Sequence, residues 1–264
     1  MSAPHVVVLL KDILDPELPG SRFRIDPARM EPAQGVGSAI LGPFERSALE
    51  LALKLKDSAG ARITALSVGD PSLLDGLRKA LAVRVDAAVQ VGLQGAANQP
   101  PEAIAGLLVA ALGRLEDVDL VLAGRQAGDW DHGQVPYLMA EALGWPCVGL
   151  VRRAWYEGDR LQVLHDHAGG QRLVLVPSPA VLTVTNDDAL LLRMARVSDL
   201  MAAQRRPIER FEAGELGSSA STPAFRIEDL WVPARTSVCE FIPGEGPDEQ
   251  AANLVRRLQE MRLL

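Results

Sequence analysis

The sequence predicts an α/β fold: a doubly wound, mostly parallel sheet with a hairpin addition and an extended C-terminal arm. Three observations predict this class. Short apolar runs of strand length alternate with longer stretches that carry apolar residues at helical spacing. Glycine- and proline-containing breaks separate the two kinds of segment. Beyond the middle of the chain the alternation gives way to a hairpin signal and then to a linker-like composition.

Length and composition fit one large α/β domain with an appendage, in a chain of 264 residues. Hydrophobic residues make up 48% of the chain, charged residues 23%, and the net charge is −7. The acidic balance argues against a nucleic-acid partner, so any phosphate would be held locally. Cys147 and Cys239 match no metal spacing. No apolar stretch reaches the roughly 18–20 residues that span a bilayer, so we expect a cytoplasmic protein without membrane insertion.

Strand and helix candidates alternate through the first half. Val6–Leu10, Arg62–Val68 and Ala87–Val91 are apolar runs of strand length. Asp12–Pro43 is rich in proline and glycine, and so long an irregular segment usually serves a function. Arg22–Ile25 within it is a candidate for part of a small hairpin. The helix candidates are Phe44–Lys56, Pro71–Leu81 and Pro101–Leu115, the last with an apolar surface that suits packing on both sides.

The stretch Val118–Pro146 is the one around which the chain is organised. The apolar run Val118–Ala123 predicts a buried strand, and the loop Gly124–Gly133 follows it. A helix pattern then resumes, with Pro136 suited to its first turn. A loop that joins the carboxyl end of a strand to a helix N-terminus is where α/β sheets bind phosphorylated ligands. No GxGxxG or Walker pattern is present, so the pattern alone leaves open a nucleotide loop or an ordinary βα connection.

The segments that follow predict a mixed sheet. Cys147–Val151 is a strand candidate. Leu161–His165 and Gln171–Val176 flank Asp166–Gly170, which predicts a hairpin. Ala180–Thr185 is a further apolar strand candidate.

The C-terminal part changes character. Glu212–Thr222 has linker composition, Phe225–Ile242 is typical of extended chain, and Pro247–Leu263 predicts an amphipathic helix. We therefore predict a nucleotide-binding domain of residues 1–212. Residues 213–264 would form a linker and an arm that packs on a partner.

With these segments in order, the chain resembles the β subunit of the electron transfer flavoproteins nearly end to end. The similar stretches are VVVLLKDILDPE, GPFERSALELALKLKD, GRQAGDWDHGQVPYLMAEALGWP, PAVLTVTND, VSDLMAAQRRPIE and FRIEDLWVPAR. The resemblance implies a fold related to the adenine nucleotide α-hydrolases. It also implies an electron-carrier subunit rather than an enzyme.

The resemblance implies cofactors and partners as well. In that family an electron transfer flavoprotein α subunit holds most of the redox-active FAD, and the tail of the β subunit joins it. The β subunit buries an AMP without a redox role. Electrons come from flavin-dependent dehydrogenases and pass to a downstream quinone-linked oxidoreductase. Two alternatives remain: an electron-bifurcating flavoprotein subunit with its own FAD, and a stand-alone adenine-nucleotide-binding regulatory module.

The family's nucleotide site maps onto the ends of three predicted strands. By resemblance, the nucleotide-binding residues are Leu9, Gly42, Pro43, Phe44, Glu45, Val68, Gly124, Arg125, Gln126, Ala127, Gly128, Asp129, Trp130, Asp131, His132, Gly133, Gln134 and Val135.

Physical chemistry assigns roles to only part of this set. Amides around Gly133 can face phosphate at the helix entrance, and Gln134 can donate its amide hydrogens. Asp129 and Asp131 would repel phosphate, so they bond ribose hydroxyls or shape the loop. Trp130 covers the adenine or is a surface aromatic.

Four positions depart from the family pattern. Gly42 and Val135 replace a common Asn and Thr, which removes two polar contacts. Trp130 and His132 stand where small or polar residues are usual, and a lone histidine is more often structural than catalytic.

The segment Leu190–Met201 resembles the family's loop for docking on dehydrogenases. Val197 aligns best with the anchoring leucine, with Leu191 and Leu192 as rivals. Arg205 and Arg206 follow as rim charges that would speed encounter. The alternative is an ordinary amphipathic helix packed on its own domain.

No catalytic set emerges from the sequence. His5, His132, His165 and His167 form no triad and no metal spacing. His165 and His167 flank Asp166 on a predicted hairpin turn without a third ligand. We therefore expect neither catalytic residues nor a metal.

Overall fold

A nine-stranded sheet is the frame of the protein within the residues that a computed structural model describes, which are 3–28, 30–33, 35–217, 227–233 and 239–264. The chain divides into two units, Met1–Leu230 and Trp231–Leu264, and the sheet belongs to the first. Its strand order confirms the predicted α/β class.

Strands and helices alternate along the first unit. The strands are β1 (His5–Leu9), β2 (Asp12–Leu14), β3 (Ile25–Asp26), β4 (Glu31–Pro32), β5 (Ala39–Leu41), β6 (Arg62–Gly69), β7 (Ala87–Gly92), β8 (Leu120–Gly124), β9 (Cys147–Glu157), β10 (Arg160–His167), β11 (Gly170–Val176), β12 (Ala180–Val184) and β13 (Glu209–Glu212). The helices are α1 (Pro43–Ala59), α2 (Asp75–Ala82), α3 (Pro101–Leu112), α4 (Val135–Leu143) and α5 (Val197–Ala203), followed by α6 (Pro247–Glu260) in the second unit.

The sheet order is β11-β10-β9-β12-β8-β1-β6-β7-β13. Neighbours from β9 to β13 pair in parallel, whereas β10 pairs antiparallel with both β9 and β11. Every residue of β1 and β12 is buried, as expected for strands covered on both faces. The predicted parallel sheet, the hairpin and the mixed later half are all present.

Alternate residues of β1 enter two separate cores. Val6 and Val8 pack with α1 and α2 on one face of the sheet, while Val7 and Leu9 pack with α3 and α4 on the other. This is the doubly wound arrangement that the alternation predicted. Helix α1 ends at Gly60, whose left-handed φ of 69° lets its N–H bond Lys56 O.

Three element boundaries differ from the prediction, each for a local reason. The helix predicted over Pro71–Leu81 begins only at Asp75, because the Asp70 carboxylate accepts bonds from Ser72 and holds a turn there. The helix predicted over Pro101–Leu115 ends at Leu112 in further turns. The irregular stretch Asp12–Pro43 contains two small antiparallel pairs, β2–β5 and β3–β4, so the suggested hairpin near Arg22–Ile25 lies slightly later.

Strand β13 was not predicted. Its sequence, ERFE, is polar, and it pairs with β7 at the edge of the sheet, where one side stays open to water. Phe211, Ala213 and Leu216 then pack on the core beside α3. The first unit thus runs past the predicted boundary after residue 212. Part of the linker-like stretch, residues 218–222, lies outside the described residues.

The second unit contains α6 and the chain before it. Arg257 pairs with Glu240, and Asn253 donates to Pro243 O at 2.9 Å. No residue of α6 is buried, and Leu254 and Val255 are exposed. The described parts of the predicted extended stretch, residues 227–233 and 239–242, form no helix or strand; its remaining residues lie outside the described ranges. Among the described helices of both units, none combines the length and apolarity needed to cross a bilayer.

Candidate functional site

The candidate site lies where the chain reverses its direction across the sheet. From β1 the chain adds β6 and β7 on one side and then crosses to β8 on the other. A crevice at such a switch point, outside the carboxyl ends of the strands, is the usual ligand site of open α/β sheets. A cavity of about 470 Å³ occupies this position. We call it the central cavity; its volume falls within the roughly 300–1,000 Å³ typical of ligand pockets.

The walls of the central cavity combine an apolar side with a polar rim. Apolar side chains come from the strand ends and from α3. These are Leu9, Leu66, Val68, Ile104 and Leu108. The polar side chains include Lys11, Asp12, Glu45, Asp70, Ser72, Asn98, Gln126 and Gln134. An apolar slot with a few convergent polar groups suits a flat ring that carries polar substituents.

The loop between β8 and α4 is held in shape by its own acidic residues. Asp129 pairs with Lys11, with Oδ2 2.7 Å from Nζ, and its Oδ1 accepts the N–H of Trp130. Asp131 Oδ1 accepts from Gln126 Nε2 at 2.8 Å. Of the two roles predicted for these aspartates, the geometry matches loop shaping.

The loop delivers the start of α4 to the central cavity. Gly133 has a left-handed φ of 61°, and a Cβ on it would lie 3.0 Å from Arg125 O. Gln134 is the N-cap of α4, its side chain makes no capping bond, and Pro136 lies in the first turn as predicted. The first N–H groups of a helix have no intrahelical partner, so this end favours an anion.

The start of α1 brings a buried carboxyl group to the same cavity. Glu45 is 5% exposed, and its Oε2 has no hydrogen-bond partner among the described residues. Burial raises the pKa of Glu45 to about 7, with Lys11 partly opposing the shift. Asp12 is similar: Gly76 donates its N–H to Oδ2, Oδ1 is buried without a partner, and burial raises its pKa. Both residues line the central cavity, and their unpartnered oxygens lie against the backbone of Gly42 and Gly76, where a donor from a bound ligand would satisfy them.

Several predicted site residues shape the cavity through close packing, and all of them except Gly124 lie outside its lining. A Cβ on Gly124 would lie 2.8 Å from Phe44 Cβ, so the glycine lets β8 approach the start of α1. The Arg125 guanidinium lies 4.8 Å from the centre of the Phe44 ring. A Cβ on Gly128 would lie 3.0 Å from Ile13 Cδ1, and one on Gly42 would overlap the Glu45 carboxylate.

The structure therefore divides the predicted nucleotide residues into two groups. Those that line the central cavity are Leu9, Glu45, Val68, Gly124, Gln126, Ala127, Trp130, His132, Gly133, Gln134 and Val135. Those that do not line it are Gly42, Pro43, Phe44, Arg125, Gly128, Asp129 and Asp131.

Two aromatic residues stand at the loop side of the cavity. The rings of Trp130 and His132 stack with centroids 5.9 Å apart and planes inclined by 30°. Both residues line the cavity, and the predicted role of Trp130 in covering a bound ring stays a prediction.

Sequence reasoning named Val68 near the end of β6 but missed the cavity-lining residues that follow β6 and β7. The short helix Ala96–Asn98 follows β7, and Asp70 and Ser72 follow β6. Lys11 and Asp12 likewise follow β1 directly. All come after parallel strands, so the rule that located the β8–α4 loop could have located them too.

The predicted docking residues lie in and around α5, on the side of the sheet where the core contains α1 and α2. Leu191 and Val197 are each 74% exposed. Leu192 instead packs against the core that contains α1, which removes it as a candidate anchor. Arg205 is exposed, whereas Arg206 donates to the carbonyls of Val85 and Asp86 and so fastens the chain. The sequence reasoning missed Met194, which is 95% exposed.

The paired histidines on the β10–β11 hairpin stay apart, with ring centroids 6.1 Å from each other. The carboxylate of Asp166, between the two histidines, forms an ion pair with Arg152, with Oδ1 2.6 Å from Nε. Across the described ranges, no three or more His, Cys, Asp or Glu side chains form a group that could hold a metal.

Comparison with known proteins gives consistent matches. A family model described as the electron transfer flavoprotein domain matches residues 36–216. The electron transfer flavoprotein subunit beta of Clostridium acetobutylicum is 34% identical over 262 residues, 97% of this chain and 98% of that protein. The caffeyl-CoA reductase-Etf complex subunit CarD of Acetobacterium woodii is 28% identical, covering 98% and 100%. The electron transfer flavoprotein subunit beta of Bos taurus is 28% identical, covering 99% of each chain.

Proposed function

The chain belongs to the electron transfer flavoprotein β subunit family, and we propose that it forms a heterodimer with an electron transfer flavoprotein α subunit. In this proposal the heterodimer takes electrons from flavin-dependent dehydrogenases and passes them to a downstream quinone-linked oxidoreductase. The β subunit contributes a nucleotide site, a scaffold and a docking surface. Its role is that of an electron carrier rather than an enzyme.

We propose that the central cavity binds AMP. The observation that carries this is the pairing of an anion-favouring helix start with buried, unpartnered acceptors in one cavity. The start of α4 at Gln134 and Val135 would hold the phosphate. Glu45 and Asp12 would accept hydrogen bonds from ribose hydroxyls or from an amino group of the base. The apolar wall, with Trp130, would enclose the adenine.

The phosphate end and the acceptor end of the cavity have opposite electrostatic preferences. The helix start favours negative charge, whereas two carboxyl groups disfavour it. Because Asp129 and Asp131 are occupied by Lys11 and Gln126, they need not face the phosphate. A ligand with one anionic end and one donor-rich end fits this arrangement.

FAD would be held at the heterodimer, mainly by the α subunit, where it supplies one- and two-electron redox chemistry. Two exposed apolar regions of this chain would serve that association. One is the outer face of the β9–β11 sheet, where register places Trp155, Leu164, Leu173 and Leu175 on the same side. Leu173 and Leu175 are 54% and 58% exposed. The other is α6 with Leu254 and Val255, in the segment predicted to pack on a partner.

A second candidate is an electron-bifurcating subunit whose cavity holds its own FAD. This candidate is supported by the similarity of the chain to CarD, which is named as a subunit of a caffeyl-CoA reductase-Etf complex. The same site residues would then hold the adenylate part of FAD.

The deciding experiment is to co-express the chain with its α subunit, denature the purified heterodimer and identify the released nucleotides. One AMP and one FAD per heterodimer is the expected result. Two FADs and no AMP would establish the second candidate. A stable colourless monomer without a partner would overturn the electron-carrier proposal.

A further inference from the structure

In the segment Asp187–Arg196 two apolar side chains face outward while an arginine between them binds the domain. Leu191 and Met194 are 74% and 95% exposed, and Val197 directly after the segment is 74% exposed. Arg193 lies between them, yet its guanidinium is directed at the domain. In a surface segment the apolar side chains normally face the domain and the charged groups face water. A specific contact made by Arg193 therefore holds Leu191 and Met194 outward.

That contact is a set of hydrogen bonds from Arg193 to the carboxylate of Glu50 in α1. Glu50 is only 5% exposed. Arg193 donates its backbone N–H to Glu50 Oε2 at 3.0 Å and its Nη2 to Oε1 at 2.8 Å, and Nε donates to both oxygens. Arg193 Nη2 also pairs with Asp57 Oδ2 at 2.8 Å. Because both the backbone and the side chain of Arg193 are bound, Glu50 fixes the direction of the chain as well as its position.

Neighbouring bonds fasten the chain on either side of Arg193. Before it, Arg152 pairs with Asp187 at 2.7 Å, and Lys54 of α1 donates to Ala189 O at 2.6 Å. After it, Arg84 pairs with Asp199 of α5 at 3.0 Å.

Leu190 and Leu192 alternate with the exposed residues and point inward. Leu190 is 2% exposed, and Leu192 and Ala195 pack on the core that contains α1. Leu191 and Met194 are thereby directed outward by fixed neighbours. A surface held in one conformation before binding loses less entropy when a partner covers it.

We propose that Glu50 is a positioning residue which, through Arg193, holds Leu191, Met194 and Val197 outward for a flavin-dependent dehydrogenase. The proposal rests on the electron-carrier function above. The exposed arginines Arg196 and Arg205 beside this surface favour a partner whose face is apolar at the centre and acidic at its rim. Glu50 touches neither partner nor cofactor and acts only on the geometry of the segment.

The test compares Glu50→Gln with wild type in the FAD-loaded heterodimer. Purified flavin-dependent dehydrogenases are screened for reduction of the wild-type heterodimer, and the fastest serves as the probe. If the variant holds the outward conformation a tenth of the time, its apparent KM as electron acceptor rises about tenfold while kcat is unchanged. Amide hydrogen exchange in residues 187–196 should become faster in the variant, with flavin content and Tm retained. Glu141→Gln, which removes the same charge from an exposed position of α4, should change none of these.

A double-mutant cycle keeps the result decisive. Arg193→Gln and the neutral pair Glu50→Gln with Arg193→Gln should each raise KM, and the rise in the pair should be smaller than the product of the two single rises, since both substitutions act on the same contact. The neutral pair also retains hydrogen-bonding side chains if Glu50→Gln alone unfolds. An unchanged KM together with unchanged amide hydrogen exchange would overturn the positioning role of Glu50. A rise in KM that is matched by loss of flavin would do the same, and both results would leave the electron-carrier proposal standing. Failure of every dehydrogenase to reduce the wild type would overturn the electron-carrier proposal itself.

Discussion

Gly124 at the end of β8 lies against Phe44 in the first turn of α1 so closely that a Cβ on the glycine would be 2.8 Å from Phe44 Cβ and 3.0 Å from its carbonyl carbon. This approach seats the start of α1, and with it Glu45, at the rim of the central cavity. The contact joins two segments that are remote in sequence and places both at the same ligand site.

Gly124→Ala should therefore destabilise the protein and disturb the cavity together. Overpacking of this kind costs roughly 1–3 kcal/mol, and about 2–4 °C of Tm is lost per kcal/mol in a chain of this size. Tm from thermal unfolding and nucleotide content after purification are the measurements. Gly170→Ala is the matched control, because Gly170 also lies in a strand, is not among the cavity-lining residues, and a Cβ there meets no atom within 4 Å. Equal effects of the two substitutions would show that the close approach to Phe44 is not needed.

Changes at the start of α4 should lower nucleotide content. Gly133→Ala places a side chain at positive φ, and Gln134→Ala removes a donor beside the cavity. We expect at least a few-fold loss of bound AMP, measured by chromatography of the denatured heterodimer. Gly158→Ala is the control for backbone strain, since Gly158 also has positive φ, of 64°, but lies in the β9–β10 turn. Undiminished AMP in both site variants would place the phosphate elsewhere.

Glu45→Gln should stabilise nucleotide-free protein at high pH but not at low pH. The folded pKa of Glu45 is raised to about 7 by burial, above its ordinary value of 4.5. The folded state then holds a proton that the unfolded state releases, so Glu45 lowers stability progressively as pH rises from 4.5 through 7. Glutamine removes this loss, and we expect roughly 1–3 kcal/mol at pH 8, from about 1.4 kcal/mol per pKa unit, with almost no change at pH 4.5. Tm measured at both pH values decides; a gain of equal size at each would contradict the burial of a titrating carboxyl.

Leu191 and Leu192 should respond differently to alanine although they are adjacent. Leu191 is exposed, so Leu191→Ala should raise the KM of reduction by a dehydrogenase several-fold and leave Tm unchanged. Leu192 packs on the core, so Leu192→Ala should lower Tm, with a cost of roughly 1–3 kcal/mol for a partly buried leucine. Steady-state kinetics and thermal unfolding of both variants provide the measurement. A larger kinetic effect at Leu192 would move the docking surface away from Leu191.

A charge on the outer face of β11 should weaken association with the α subunit. Leu173→Asp and Leu175→Asp each place a carboxylate in the exposed apolar face, and a buried unpaired charge is costly at an interface. We expect at least a tenfold weaker heterodimer in sedimentation or titration experiments. If both variants assemble as wild type does, this face is not the interface.

The predictable part of the structure came from local patterns. The apolar runs at β1, β6, β7, β8 and β12 identified the strands, since a strand buried on both faces must be apolar throughout. Alternation with helices then fixed a parallel, doubly wound sheet. The glycine-rich loop before Pro136 could be assigned to a helix N-terminus for the same reason. Strand β13 was not predicted, because a polar edge strand has no run of apolar residues in its sequence.

Within the site, sequence identified the segments, and the fold assigned the individual roles. The pattern alone named Gly124–Gly133 and Pro136, because the order of strand, loop and helix already implies the carboxyl edge of a sheet. Only the tertiary structure paired Asp129 with Lys11, left an oxygen of Glu45 without a partner, and turned Leu192 inward while Leu191 faces out. These outcomes depend on contacts between residues far apart in the chain. Local periodicity carries no information about such contacts until the chain has packed.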